Sequence, residues 1–183
     1  MARIIAKGKF IQLFNDESWE YADRPQSAGV ASIVATYRGN LILVEQFRFS
    51  HRRDVIGLPG GLIERAPGGS FEETALSAAR RELVEETGFA AARMRKVAHG
   101  TLSPGTTSEM LTLFIASGLK RLSHPNGDGD ERLQLHLVSL KEVHGWLAAR
   151  ERSGALVDCM VYAGLLFLGH GTRSGASRKP KRA

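Results

Sequence analysis

The sequence predicts an α/β (α+β) protein, a sandwich of helices around a central mixed β-sheet. Three observations predict it. Runs rich in β-branched and apolar residues fill much of residues 4–58, with turn-prone residues between them. A helical stretch follows, carrying the small residues Ala75, Ala78 and Ala79 on which a sheet can pack closely. Beyond it, strand-like runs give way to two more helical patterns, and no segment repeats. With 183 residues, 43% hydrophobic and 24% charged, the chain has the length and composition of one globular domain with a full core.

In order along the chain, residues 4–14 and 18–22 flank the turn-prone Asn15-Asp16-Glu17 and predict a β-hairpin arm over residues 1–27. Residues 29–37 and 41–49 predict a second hairpin, turning at Arg38-Gly39-Asn40. A short strand over 54–58 leads into Pro59-Gly60-Gly61. The helix is expected over 71–87, with Ser70 as its N-cap and Gly88 ending it. Strands are expected at 93–102, 110–116 and 133–138. The stretch from Ser139 starts a helix whose apolar face holds Leu140, Val143, Trp146 and Leu147. Residues 158–168 predict a last helix, buried on most sides, so that one domain spans 1–170.

The net charge of +6 is concentrated at one end. Residues 171–183 hold Arg173, Arg178, Lys179, Lys181 and Arg182 and no acid, which leaves about +1 for the remainder. This tail reads as disordered and solvated, with contact to RNA or an anionic surface as the alternative. Nucleic acid is therefore not an expected partner. Cys159 is the single cysteine, in an apolar run that predicts a core position. No signal-peptide pattern and no membrane-length apolar run is present, so the expectation is a cytoplasmic protein without a membrane partner. The six histidines show no ligand spacing and are given no catalytic role.

The chemistry concentrates in residues 60–89. Glu82, Glu85 and Glu86 stand at i, i+3 and i+4, on one face of a helix. Like charges so close repel, and a cation would remove the penalty. Hard carboxylate oxygens suit Mg²⁺, with Mn²⁺ as the alternative, whereas the same cluster can also be a solvated helix face.

Arg81-Glu82-Leu83-Val84-Glu85-Glu86-Thr87-Gly88-Phe89, with Glu73 seven intervening residues upstream and Pro59-Gly60-Gly61-Leu62-Ile63-Glu64 before it, resembles the box of the Nudix hydrolases. The resemblance implies an α/β/α sandwich in which the box forms a loop–helix–loop. One departure stands out: nineteen residues, 62–80, separate Gly61 from Arg81, where the family pattern has thirteen. The six extra residues fall around residues 65–71, ahead of the metal-binding half.

Outside the box, Val44-Glu45-Gln46-Phe47-Arg48, the run 54–64 and Ser103-Pro104-Gly105 resemble the ADP-ribose and nucleoside-diphosphate-sugar pyrophosphatase branch. That likeness implies substrate-binding roles for Glu45, Arg48, Pro104 and Gly105. Arg48 has forked donors suited to a diphosphate, or serves a surface ion pair; Pro104-Gly105 alone would also be an ordinary turn. Arg48-Phe49-Ser50-His51-Arg52-Arg53 is more basic than the branch, and Thr106-Thr107-Ser108-Glu109 stands where an acidic pair is common. In the acidic stretch 126–131, Glu131, then Asp130, is the candidate to position or deprotonate the attacking water, against a solvated turn.

The resemblance implies that Glu82, Glu85 and Glu86, with the main-chain carbonyl of Gly60, hold one to three Mg²⁺ ions. Glu73 is expected to assist indirectly and Arg81 to brace the helix. The expected reaction is hydrolysis of a nucleoside diphosphate linked to a sugar, giving a nucleoside monophosphate and a sugar phosphate, in a homodimer. The alternatives are a pyrophosphohydrolase of nucleoside triphosphates or RNA 5′ ends, and a non-catalytic binding module of the same fold.

Overall fold

The computed structural model describes residues 2–66, 72–122 and 133–171. The first three strands, β1 (Arg3–Lys7), β2 (Gln12–Asp16) and β3 (Trp19–Asp23), form a separate antiparallel sheet in that order. The expected hairpin is thus a three-stranded meander. Gly8 donates its N–H to the Ile11 carbonyl at 2.8 Å and splits the run 4–14 in two. The second turn follows Asp16, with Glu17 at φ 55°.

The main sheet has eight strands. β4 (Ser27–Tyr37), β5 (Asn40–Arg48), β6 (Arg53–Gly57), β8 (Phe89–Thr101), β9 (Met110–Arg121) and β11 (Leu156–Val157) run in the order β11-β6-β5-β4-β9-β8. β7 (Gly60–Glu64) pairs with β4, and β10 (Leu133–Ser139) pairs with β5. The sheet is mixed, since β4–β9 and β6–β11 are parallel and the other pairs antiparallel.

Side chains alternate across these strands, and each face is covered by helix. Ile33 and Ala35 of β4 and Ile42 of β5 pack with Ala78, Ala79 and Leu83 of α1 (Ala75–Thr87). Val34, Leu41 and Leu43 face the other way, onto Val143 and Leu147 of α2 (Val143–Arg152) and Val161 of α3 (Cys159–Gly171). All eight of the strand and helix residues Ile33, Ala35, Ile42, Val34, Leu41, Leu43, Leu147 and Val161 are fully buried. The expected helix–sheet–helix layering is what forms.

Several local expectations need correction. α1 begins at Ala75, with Thr74 as N-cap accepting from the Ser77 N–H at 3.1 Å. The predicted start at 71 and the cap at Ser70 fail because the backbone just before the helix is occupied otherwise. Glu73 donates its N–H to the Glu64 carbonyl at 2.8 Å, and Glu72 bridges to Arg65, extending the β7 pairing. Cys159 is exposed rather than in the core: it opens α3, where Asp158 accepts from the Met160 N–H at 2.8 Å. Leu140 lies in the turn ahead of α2 and is 39% exposed. α3 leaves Tyr162 and Leu166 exposed, so its burial is one-sided. Among the described residues no helix is long and apolar enough to cross a membrane.

Candidate active site

Helix α1 carries Glu82, Glu85 and Glu86, and strand β7 brings the Gly60-Gly61 backbone to them. β7 is fixed by its pairing with β4, Ser32 opposite Gly60 and Ala31 opposite Gly61. The Gly60 N–H donates to Glu86 Oε2 at 2.8 Å. A Cβ on Gly61 would lie 2.2 Å from Glu82 Oε1, and one on Gly60, at φ 154°, would lie 2.2 Å from the Ala31 carbonyl oxygen. Gly61 therefore lets the Glu82 carboxylate lie against β7, where a Cβ would push it aside, and Gly60 lets β7 lie against the β4 backbone, where a Cβ has no room. Gly88, at φ 72°, ends the helix, its N–H bonded to the Val84 carbonyl.

Arg81 ties the box together. Its Nε and Nη2 donate to the two oxygens of Glu73 at 3.2 and 3.0 Å, a forked pair. Its Nη1 donates to Glu82 Oε1 at 2.9 Å and Glu85 Oε2 at 3.0 Å, and Nη2 also reaches the Leu62 carbonyl at 3.1 Å. Glu73, only 8% exposed, additionally accepts from the Glu64 N–H at 3.3 Å. Burial works against the charged form of Glu73, but the Arg81 hydrogen bonds, the Glu64 amide and the Arg81 charge together hold its carboxyl below the usual range. For Glu82 the balance is reversed. Burial pushes it up, and repulsion from Glu85 and Glu73 adds to that, more than Arg81 offsets. Arg81 is held firmly protonated by Glu73 first, against its own desolvation, with Glu82 and Glu85 assisting.

Among the described residues, no three His, Cys, Asp or Glu side chains are already gathered as a metal cluster. The local bonds give the reason. Glu82 and Glu85 lean on Arg81, and Glu86 accepts from the Gly60 amide. The donor set nonetheless fits a hard divalent cation, being three carboxylates on successive turns of one helix face. Glu82 in particular is a largely buried carboxylate, 14% exposed, whose charge Arg81 compensates incompletely. Glu85, 46% exposed, can turn from Arg81 at small cost.

The other expected site residues scatter. The Glu45 carboxylate, 5% exposed, is drawn away from the box: it accepts from Arg150 of α2 and pairs with His136 Nε2 at 2.7 Å. By strand alternation it shares the face of Leu41 and Leu43, opposite α1. Arg48 ends β5 exposed, paired across the hairpin with Arg53. Pro104 and Gly105 lie on an exposed turn between β8 and β9, where the Ser103 carbonyl accepts from the Thr106 and Thr107 N–H groups, each at 3.0 Å. Glu131 and Asp130, and residues 67–71 of the insertion, lie outside the described residues, as does the tail from 172.

Two features escaped the sequence reading. One is the Arg150–Glu45–His136 network. The other is a recess of about 270 Å³ lined by Glu72, Glu73, Thr74, Ile63, His99 and Thr112, with His99 Nδ1 3.0 Å from Thr112 Oγ1. Residues so far apart in the chain leave no local signal.

Comparison with known proteins gives the family. The family profile described as NUDIX domain matches residues 25–156. The ADP-ribose pyrophosphatase of Bacillus subtilis (strain 168) is 34% identical over 123 residues, 67% of this chain and 63% of that one. The ADP-ribose pyrophosphatase of Mycobacterium tuberculosis is 28% identical over 152 residues, 82% of this chain and 69% of that one. The chain thus spans less than two thirds of the B. subtilis protein. Among solved structures, an ADP compounds hydrolase superposes with a TM-score of 0.67 at 22% identity, covering 98% of this chain and 95% of that one, a likeness of fold. With the matched profile and the clamped glutamate helix together, the chain belongs to the Nudix family.

Proposed function

We propose that the protein hydrolyses the diphosphate linkage of a nucleoside diphosphate joined to a sugar, ADP-ribose first among them, in the cytoplasm and with Mg²⁺. The observation that carries this reading is the array of Glu82, Glu85 and Glu86 on α1, closed against the Gly60-Gly61 backbone. The names of the two pyrophosphatase relatives support the substrate class. Glu82, Glu85 and Glu86, with the main-chain carbonyl of Gly60, are the proposed ligands. A divalent cation held there would neutralise phosphate charge and lower the pKa of a bound water.

Around that centre the chain's own residues have distinct tasks. Arg81 and Glu73 keep the helix face and the β7 backbone in register. Arg48, at the end of β5, is the proposed diphosphate contact, and the Pro104-Gly105 turn the proposed wall for the substrate. Glu131 is the proposed residue that orients or deprotonates the attacking water. Attack of water on one phosphorus breaks its bond to the bridging oxygen, which leaves with the other phosphate. From ADP-ribose the products are AMP and ribose 5-phosphate. Glu45 is left out of this scheme, since its carboxylate is committed to Arg150 and His136.

A homodimer is proposed as well. The N-terminal sheet exposes Ile4 (52%) and Trp19 (58%), and its β1–β2 connection exposes Phe10 (63%) and Ile11 (45%), apolar side chains suited to burial against a second copy.

The test is a substrate panel with Mg²⁺: ADP-ribose, GDP-mannose, UDP-glucose, ADP-glucose, dinucleoside polyphosphates and nucleoside triphosphates, with products read by phosphatase-coupled phosphate release. Turnover of ADP-ribose or another nucleotide sugar, lost in Glu86→Gln with the fold intact, is expected. Turnover of triphosphates alone overturns the substrate class. Silence with both Mg²⁺ and Mn²⁺ overturns the hydrolase reading.

A further inference from the structure

The loop between β8 and β9 is not held by those strands alone; its second half is bonded to the N-terminal sheet. The Ala22 N–H donates to the Thr106 carbonyl at 2.9 Å, and the Ser108 N–H to the Ala22 carbonyl at 3.2 Å. These bonds form a short parallel bridge, Ala22 to Thr107. Ser108 Oγ donates to Asp23 Oδ1 at 2.5 Å. Just beyond, Arg24 Nε lies 3.1 Å from Glu109 Oε1 as an ion pair without hydrogen-bond geometry, the Arg24 side chain 40% and the Glu109 side chain 16% exposed. The first half of the loop is a closed turn on Ser103, whose Oγ is 2.7 Å from Thr106 Oγ1. So Pro104 and Gly105 sit on a rigid turn whose far end is fastened by residues 22–24.

The fastened end also borders the box. Ser108, Glu109, Asp23, Arg24 and Ser27 line a recess of about 250 Å³ with Arg65, the residue that follows β7. A shift of β3 would therefore move the Pro104-Gly105 turn relative to the Gly60–Glu64 strand that meets the glutamates.

We propose that Asp23 and Arg24 are positioning residues, which fasten the 102–109 loop to the N-terminal sheet and so set how tightly the site takes its substrate. The clamp acts through the loop and touches no reacting atom. It rests on the hydrolase reading for its functional consequence, but its mechanical part stands independently. It also makes the N-terminal sheet part of the proposed binding machinery.

The test compares the full-length wild type with Asp23→Ala/Arg24→Ala and with the milder Ser108→Ala, which removes one hydroxyl. Steady-state kinetics on ADP-ribose should show KM raised on the order of tenfold in the double variant with kcat nearly unchanged, as loss of substrate positioning away from the metal site requires. Arg24→Lys alone, which keeps the charge, should rise less than Arg24→Ala. Amide hydrogen exchange is read in parallel, where Ala22 and Ser108 should exchange faster in the double variant while Gly60 and the α1 amides stay protected. Equal KM in wild type and double variant, with the fold intact by circular dichroism, overturns the positioning role. Unchanged exchange at Ala22 and Ser108 overturns the clamp itself, whatever the kinetics. A wild type without turnover refutes the hydrolase reading instead, and the exchange result then still decides the clamp.

Discussion

Removing Arg81 tests whether the box is held by a buried ion pair or by an ornamental surface one. In Arg81→Ala, Glu73 keeps only the Glu64 amide at 3.3 Å while remaining 8% exposed, and Glu82 and Glu85 lose the cation between them. Breaking a buried pair from one side costs about 3–5 kcal/mol, because a desolvated charge is left behind. Arg81 is itself 30% exposed, so water can enter the space it leaves, and the low end of that range, about 3 kcal/mol, is expected. For a chain of this size that is a fall in Tm of roughly 6–12 °C.

Urea denaturation of wild type, Arg81→Ala, Glu73→Ala and the double variant closes a cycle that isolates the pair. The pH dependence has a definite sign. The folded-state pKa of Glu73 is depressed, so its contribution is complete above the ordinary Glu range and is lost as pH falls through the depressed value. Glu82, whose pKa is raised, works the other way: protonation relieves a penalty that the charged form carries. The stability gap between wild type and Arg81→Ala should therefore narrow in acid. A gap below about 1 kcal/mol at neutral pH, or one that does not narrow in acid, would refute the buried-pair reasoning.

Three further substitutions test other parts of the structure. Gly61→Ala puts a methyl group where Glu82 Oε1 would be 2.2 Å away; turnover should fall at least tenfold in the substrate assay, since the carboxylate must move. Thr74→Ala removes the cap of α1 and should cost about 1 kcal/mol by chemical denaturation. Glu45→Ala takes the carboxylate from Arg150, 35% exposed, and from His136, and should cost about 2 kcal/mol while leaving KM for ADP-ribose unchanged; a raised KM at unchanged stability would return Glu45 to the substrate site.

The parts of this fold that were legible in the sequence are those set by local pattern. The β-branched and apolar runs over residues 29–37 and 41–49 matched β4 and β5 to within a residue or two, because strands covered on both faces read as near-continuous apolar stretches. The Glu82-Glu85-Glu86 spacing gave the helix face, and Gly88 its end. The starts of α1 and β7 were set by partners outside the local stretch. Glu72 and Glu73 look helical, yet the Glu64 carbonyl and Arg65 capture their backbone and delay α1 to Ala75. Residues 59–64 resemble the stretch that leads into the box, and β4 makes 60–64 a strand by supplying the ladder. Glu45 sits in a segment resembling a substrate site, and nothing near it announces that Arg150, 105 residues on, will claim its carboxylate. Cys159 lies in an apolar run whose helix turns that residue outward.

The most direct measurement is a Mn²⁺ titration of the protein followed by electron paramagnetic resonance, wild type against Glu86→Gln. If Glu82, Glu85 and Glu86 hold the cation, the wild type removes Mn²⁺ from the free-ion signal stoichiometrically, Mg²⁺ displaces it, and Glu86→Gln binds far more weakly with an unchanged circular dichroism spectrum. Equal Mn²⁺ uptake by both proteins, or none by the wild type, would contradict the glutamate face of α1 as the metal site.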